Sequence, residues 1–297
     1  MPVGTHRTAA PWHRSPRTRL GSPVIIPQPS GFHAFLAGMH EGVDLVFSGN
    51  QVVVDTTLRT LRLAVESTLI AALIGVPFGC ALGLGRSRVA RVLLRLASAV
   101  TRVPPVAIGV LVYLLLANGG PGYGGGLLAG LHWETEPQGA YMDQTLLAIP
   151  IIVALTASAV KGVSSLLLDQ ARAFGASGWK RGLLALREAR RRVIASILVA
   201  MGVTITAIGA IIVSNAPLTT RVGDHYQPVT LAIGAFTTFR QVQGSTFSGP
   251  QTAALDRPTP SLAVAFTIVL LGLFVLIAAM LTRLQARRLS WIPGGQS

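Results

Sequence analysis

The segment LAVESTLIAALIGVPFGCALGL, residues 63–84, holds one charged residue, Glu66, and is otherwise dominated by apolar and small side chains. A helix needs about 20 such residues to cross the roughly 30 Å hydrocarbon core of a bilayer. The segment therefore predicts a membrane-spanning helix. The same criterion predicts four more spans, at residues 96–117, 145–163, 193–216 and 262–281.

The composition supports this interpretation. Of the 297 residues, 51% are hydrophobic and 12% are charged, whereas about a quarter of a soluble domain is charged. These values argue against an ordinary cytosolic enzyme and a disordered chain. The lone cysteine, Cys80, argues against a disulfide framework. We expect an all-α, polytopic membrane helix bundle of about five transmembrane helices.

The chain divides into four segments. Residues 1–30 mix Pro, Arg, His and Ser without periodicity, which predicts a disordered basic tail. Residues 31–57 form either an amphipathic helix at the membrane surface or a plain linker. The transmembrane domain covers residues 58–285, and residues 286–297 form a short tail.

The net charge of +14 comes from 25 Lys and Arg against 11 Asp and Glu. In so apolar a chain it indicates basic cytoplasmic loops rather than nucleic-acid binding. The links at residues 85–95 and 164–192 and the C-terminal tail are basic, which predicts an external N-terminus and a cytoplasmic C-terminus. Arg59 and Arg62, just before the first span, point the other way.

The basic link SSLLLDQARAFGASGWKRGLLALREARRRV, residues 164–193, favours helix on both sides of Gly175. Ser177 is placed to cap the second helix. A helical hairpin that projects from a bundle is suited to docking into a groove of a partner.

This link resembles the cytoplasmic coupling loop of ABC importer permeases, whose motif begins Glu-Ala-Ala and has a Gly six residues after the Glu. Asp169 and Gln170 depart from the usual Glu and Ala, and Gly175 takes the Gly place. The resemblance implies a type I-like permease whose ATPase-coupling loop includes Asp169, Gln170, Ala171, Phe174, Gly175, Ala176 and Ser177.

Four strings, TLIAALIGVPFGCALGLG (68–85), RVPPVAIGVLVYLLL (102–116), QTLLAIPIIVALTASAV (144–160) and DQARAFGASGWKRGLLALREAR (169–190), resemble the membrane subunit of tungstate-type ABC importers. The resemblance implies a homodimer in the bacterial inner (plasma) membrane. It also implies a cytoplasmic ABC ATPase dimer that hydrolyses the ATP and an extracellular or periplasmic substrate-binding protein. The implied substrate is tungstate, with molybdate next.

Two alternatives stay open. One is a permease for another anion, such as phosphate or sulfate. The other is a non-transporting membrane protein that keeps the permease bundle, because the resemblance weakens after Gly202. A membrane-bound enzyme is disfavoured, since no catalytic set converges and no Walker-type loop is present. No cofactor or metal site is expected.

For an oxyanion path we expect hydroxyls and free backbone N–H groups near helix breaks. The candidates are Thr101, Pro104, Pro105, Thr204, Thr206, Ser214 and Asn215. For each hydroxyl alone, an ordinary interhelical hydrogen bond is an equally good interpretation. Arg102 either attracts an oxyanion or extends to the interface.

Two other polar features receive simpler interpretations. His132, Glu134, Glu136 and Asp143 follow the glycine-rich run 118–130 and predict a solvated loop rather than a metal site. Glu66 lies four residues after Arg62, which predicts an ion pair on one helix face.

Overall fold

The structure, a computed structural model, describes residues 32–118, 125–133, 137–214, 218–222, 225–242 and 259–286. The helices are α1 (Phe32–Phe47), α2 (Gln51–Leu84), α3 (Arg88–Val100), α4 (Pro105–Leu116), α5 (Pro137–Lys161), α6 (Ser165–Ala173), α7 (Gly178–Thr206), α8 (Ile208–Val213), α9 (Leu231–Val242) and α10 (Pro260–Ala286). A short antiparallel hairpin, β1 (Thr219–Val222) with β2 (His225–Pro228), is the only sheet in these ranges. The predicted all-α class is confirmed.

The described helices include fewer long apolar spans than the five predicted. Gln51–Leu84, Gln138–Lys161 and Ser261–Leu284 are long and apolar enough to cross a membrane. The predicted span at 96–117 is instead a pair of helices, α3 and α4, bent by 107° at Pro104. Proline lacks the N–H that would continue a helix, and its ring restricts the preceding residue, so α3 ends before it.

The predicted span at 193–216 is also divided. Its first part is the end of α7, which stops at Thr206, and its second part is the short helix α8. Ala207 lies between them with φ −79° and ψ 66°, outside the helical region. Helix α7 starts at Gly178, so its first half is the basic link and its second half is apolar.

Helices α2 and α5 run in parallel and form the most extensive helix contact among the described residues. A Cβ added to Gly79 would lie 2.8 Å from the Val153 carbonyl oxygen, and one added to Gly83 would lie 2.9 Å from that of Ala157. One turn earlier, a Cβ on Gly75 would lie 3.0 Å from Ile152. Three glycines at intervals of four therefore let the two backbones touch, as in the small-residue interfaces of membrane helices.

Helix α7 packs antiparallel on this pair. The hydroxyls of Thr156 in α5 and Ser196 in α7 share a buried hydrogen bond of 3.2 Å. Nearby, buried Ala159 and Val163 pack against Ala189 and Val193. The core is therefore a three-helix unit of α2, α5 and α7.

The remaining helices cover this unit. Helices α4 and α8 meet where a Cβ on Gly109 would lie 2.8 Å from the Ala210 Cα. Helix α10 buries Phe266 against Gly234 of α9, and α1 contacts α10 where Gly42 faces Val264. Helix α1 lies within the segment 31–57, and α2 begins there too, at Gln51.

We call the two ends of the bundle the basic end and the distal end. The basic end is where α2 ends at Leu84, α5 ends at Lys161 and α7 begins at Gly178. The distal end is where α2 and α5 begin and where β2 contacts α2 through a hydrogen bond from Arg59 to Gln227. The predicted N-terminal tail, residues 1–30, and residues 287–297 of the predicted C-terminal tail lie outside the described residues.

The glycine contact between α2 and α5 makes a first prediction. Gly79→Val places atoms where the α5 backbone lies, so we expect a loss of about 1–3 kcal/mol in stability from overpacking. Gly272→Val in α10 is the matched control, because no heavy atom lies within 4 Å of a Cβ there. Thermal unfolding of the purified variants in detergent measures both. Equal melting temperatures for the two variants would contradict the contact.

Candidate functional site

The hairpin between α5 and α7 ends its first helix with a well-defined backbone motif. The Ala176 N–H donates to the Ala171 carbonyl (2.9 Å), and the Gly175 N–H donates to that of Arg172 (3.0 Å). Gly175 has φ +78°. This is the Schellman pattern, in which a left-handed residue closes a helix and satisfies its last carbonyls. The Ser177 side chain then accepts from the Lys180 N–H and caps α7.

The hairpin is anchored on one side and exposed at its tip. Leu167 and Leu168 of α6 pack on the α5–α7 cluster. Phe174 and Trp179, by contrast, are 90% and 79% exposed. Asp169, Gln170 and Ser177 are exposed, and Ala171 and Ala176 are partly covered.

Exposed apolar side chains that cluster in one patch mark an interaction surface. The sequence-based site included Phe174 but missed Trp179 and Leu183. Both are exposed apolar residues four apart on the polar part of α7, a spacing that could have identified them.

Several of the proposed path residues lie at two helix breaks that meet. Pro104 and Pro105 form the corner between α3 and α4, and Thr206 ends α7 just before Ala207. The two breaks are adjacent, because a Cβ on Gly209 would lie 2.6 Å from Val106 Cγ2. The exposed Thr101 and Thr206 hydroxyls donate to carbonyls of their own helices.

The other proposed path residues do not lie on the surface where the two helix breaks meet. Thr204 is buried and donates to the Met201 carbonyl (2.9 Å). Ser214 is buried at the far end of α8. Asn215 lies outside the described residues.

Asp143 is placed very differently from its predicted position in a solvated loop. It lies in α5, has no exposed surface, and accepts a hydrogen bond from Ser214 at Oδ2. Its Oδ1 is buried without a hydrogen-bond partner among the described residues. The loop prediction was therefore wrong for Asp143, because α5 begins at Pro137, a residue favoured at the first helical position. His132 is exposed, and Glu134 and Glu136 lie outside the described residues.

Further polar contacts join α2 and α5 at the distal end. Arg62 Nε donates to Glu66 (2.8 Å), which confirms the predicted ion pair. Glu66 also accepts from the Tyr141 hydroxyl (2.7 Å), and Ser67 donates to Gln144 (3.1 Å). The α2–α5 pair is thus held by hydrogen bonds at one end and by glycine contacts toward the other.

Helices of membrane length, two broken segments that meet and a basic hairpin with an exposed apolar tip are the features of a polytopic membrane protein. Residues 75–291 match the family described as "Binding-protein-dependent transport system inner membrane component". The match covers most of the chain, and the protein belongs to this family of transport subunits.

Two relatives resemble part of the chain. A "Probable anion ABC transporter permease protein" of Haloferax volcanii is 30% identical over 165 residues, which are 54% of this chain and 67% of the relative. A "Tungstate uptake system permease protein TupB" of Peptoclostridium acidaminophilum is 23% identical over 176 residues, 59% of this chain and 75% of the relative.

The Asp143–Ser214 contact makes a second prediction. Ser214→Ala leaves a buried carboxyl group without its hydroxyl partner, so we expect a loss of about 1–3 kcal/mol in stability. Ser164→Ala is the matched control, because that hydroxyl is exposed and makes no capping bond. In a double-mutant cycle with Asp143→Ala, thermal unfolding should give a coupling of about 0.5–3 kcal/mol. Strictly additive losses would refute the contact.

Proposed function

We propose that this chain is the membrane-spanning permease of an ATP-driven ABC importer for an oxyanion, with tungstate as substrate and molybdate as the next candidate. The observation that carries the proposal is the hairpin of α6 and α7, which offers a partner an apolar tip on a rigidly capped turn. The family described above depends on a binding protein, and the two relatives named for anion and tungstate transport support the substrate class. Phosphate and sulfate are the competing anions.

The partners follow from this role. A cytoplasmic ABC ATPase dimer docks on the hairpins of two copies of this chain, and an extracellular or periplasmic binding protein delivers the anion at the distal end. The ATP chemistry belongs to the ATPase subunits. The charge distribution supports the orientation, since Lys161, Arg172, Lys180, Arg187 and Arg190 all lie at the basic end, and basic residues favour the cytoplasmic side. The N-terminus is then external and the C-terminus cytoplasmic, in a bacterial inner membrane.

The hairpin would act as a lever. Leu167 and Leu168 join it to α5 and α7, so displacement of its tip by the ATPases is transmitted to the helices that carry the α7–α8 break. A ligand changes such an equilibrium only through its different affinities for the two states. The loaded binding protein and ATP supply that difference here.

The path for the anion would run along the corner where the two breaks meet. Thr101, Pro104, Pro105 and Thr206 lie there, and helix breaks offer the backbone groups and hydroxyls that bind an anion without trapping it. Thr204 and Ser214 are buried in this conformation, so they would contribute only after α8 moves. Asn215 follows Ser214 directly in the chain.

Gly175 makes a third prediction. Gly175→Val places a β-branched residue at φ +78°, which costs on the order of 1–2 kcal/mol and should distort the turn. We expect the ATPase activity of the assembled importer to lose its stimulation by loaded binding protein. Gly175→Asn, which tolerates left-handed backbone, should retain most of it.

The matched control is Gly178→Val, three residues away, where the nearest heavy atom lies 4.0 Å from a Cβ and no positive φ is required. If loaded binding protein still stimulated the ATPase activity fully in Gly175→Val, the turn would have no coupling role, and a non-transporting membrane protein would be favoured.

The substrate makes a fourth prediction. In cells lacking this gene but retaining the ATPase and binding protein, tungsten content measured by mass spectrometry should fall and should recover when the gene is restored. Molybdenum should follow more weakly. If tungsten and molybdenum content were unchanged and phosphate or sulfate uptake were altered, the substrate would be phosphate or sulfate instead of tungstate.

A further inference from the structure

Helix α3 presents three distinct faces. Its inner face, Ala90, Leu94 and Ala97, packs against α2 and α5 in a cluster with Leu82 and Ala157. Successive residues of a helix are separated by about 100°, so the remaining positions fall into two groups. Because the inner face contacts the bundle, both remaining groups of residues lie on sides of α3 that face away from it.

The second face is apolar and exposed. It consists of Val89, Val92, Leu93, Leu96 and Val100. Val89 and Leu96 are 67% and 56% exposed, so no described element covers this face. A helix with an apolar side and a strongly basic side is typical of elements that lie in the membrane interface.

The third face is cationic and borders a cavity of about 470 Å³. Three arginines of α3 and its C-terminal turn meet the last lysine of α5 around it: Arg91, Arg95, Arg102 and Lys161. We call this the α3 cation pocket. Leu94, Ser98 and Ala99 complete the lining, and no carboxylate of the described residues contributes to it.

The positive charge of this pocket is not balanced within the described part of the chain. The two ion pairs there are His40–Asp44 and Arg62–Glu66, and neither involves a pocket residue. Four like charges around one cavity repel each other and create a positive potential that favours an anion.

We infer that the α3 cation pocket binds the phosphate headgroup of an anionic phospholipid, with the apolar face of α3 in the adjacent acyl region. Charge complementarity selects an anion. The neighbouring apolar face selects a lipid over a free oxyanion, because a small hydrated anion gains nothing from Leu93 or Leu96. Basic pockets beside membrane helices are suited to anionic headgroups. This inference goes beyond the proposed transport function and does not depend on the substrate.

Bound lipid would have a mechanical consequence. The pocket includes Arg102, two residues before the corner at Pro104. A headgroup held by the three arginines of the pocket and by Lys161 would join the end of α3 to the end of α5. It would therefore restrain the α3–α4 corner.

The test uses the purified full-length protein in a neutral detergent. Native mass spectrometry measures binding of phosphatidylglycerol and of phosphatidylcholine with the same acyl chains. We expect preferential binding of phosphatidylglycerol, reduced about tenfold or more in Arg91→Gln/Arg95→Gln/Arg102→Gln, since each basic residue near an anionic surface contributes substantially to attraction. Phosphatidylcholine binding should not change.

The control variant Arg172→Gln/Lys180→Gln/Arg283→Gln removes the same charge from exposed positions at the same end. It should keep most phosphatidylglycerol binding. Equal losses in the two variants would overturn the pocket in favour of diffuse attraction to the basic end. All six side chains are exposed, so both variants should fold, which size-exclusion chromatography checks.

A second measurement separates lipid from a free anion. Isothermal titration with sodium phosphate and with sodium tungstate should give the same result for the native protein and for the pocket variant, because neither free anion binds in the pocket. Saturable binding of either salt, lost in the pocket variant while phosphatidylglycerol binding persists, would overturn the lipid assignment and make the pocket a site for a free oxyanion.

Discussion

The contact between α2 and α5 is the constraint on which the rest of the bundle depends. Gly75, Gly79 and Gly83 bring the two backbones together, and the Glu66–Tyr141 and Ser67–Gln144 hydrogen bonds hold them at the distal end. In lipid, apolar burial supplies little drive for helices to associate, so close packing and polar contacts must do so. The parallel pair offers α7 the groove in which it lies.

The hairpin and the two broken segments extend from this three-helix unit. The hairpin of α6 and α7 continues directly from α5 at the basic end and rests on the same α5–α7 cluster. The short helices α4 and α8 are attached through breaks at Pro104 and Ala207, beside the core rather than within it. The structure therefore combines a packed three-helix unit with two segments that are broken at Pro104 and Ala207.

Much of this was predictable from local sequence. Apolar length identified α2, α5 and α10, and Gly175 with Ser177 identified the hairpin turn, because these signals involve only neighbouring residues. The partner of the glycine row was not predictable, since nothing local specifies which helix approaches Gly79. The break at Ala207 carries no Pro or Gly, and the residues that pack there, Ile108 and Leu147, are distant in the chain. Asp143 was predicted in a loop because a charged residue is expected in solvent, although Pro137 indicates that α5 begins earlier. Its partner Ser214 is distant in the chain and carries no local signal.

Cross-linking of the assembled importer tests most directly the proposal that the hairpin tip transmits ATPase motion to the bundle. In a background where Cys80→Ala removes the single native cysteine, Phe174→Cys and Trp179→Cys carry a cysteine-specific photo-crosslinker. Leu127→Cys, equally exposed in the glycine-rich segment between α4 and α5, is the control. We expect cross-links from both tip positions to the ATPase, with a yield that changes when ATP binds, and none from Leu127. Cross-links that are absent at the tip, or that form equally at Leu127, would contradict it.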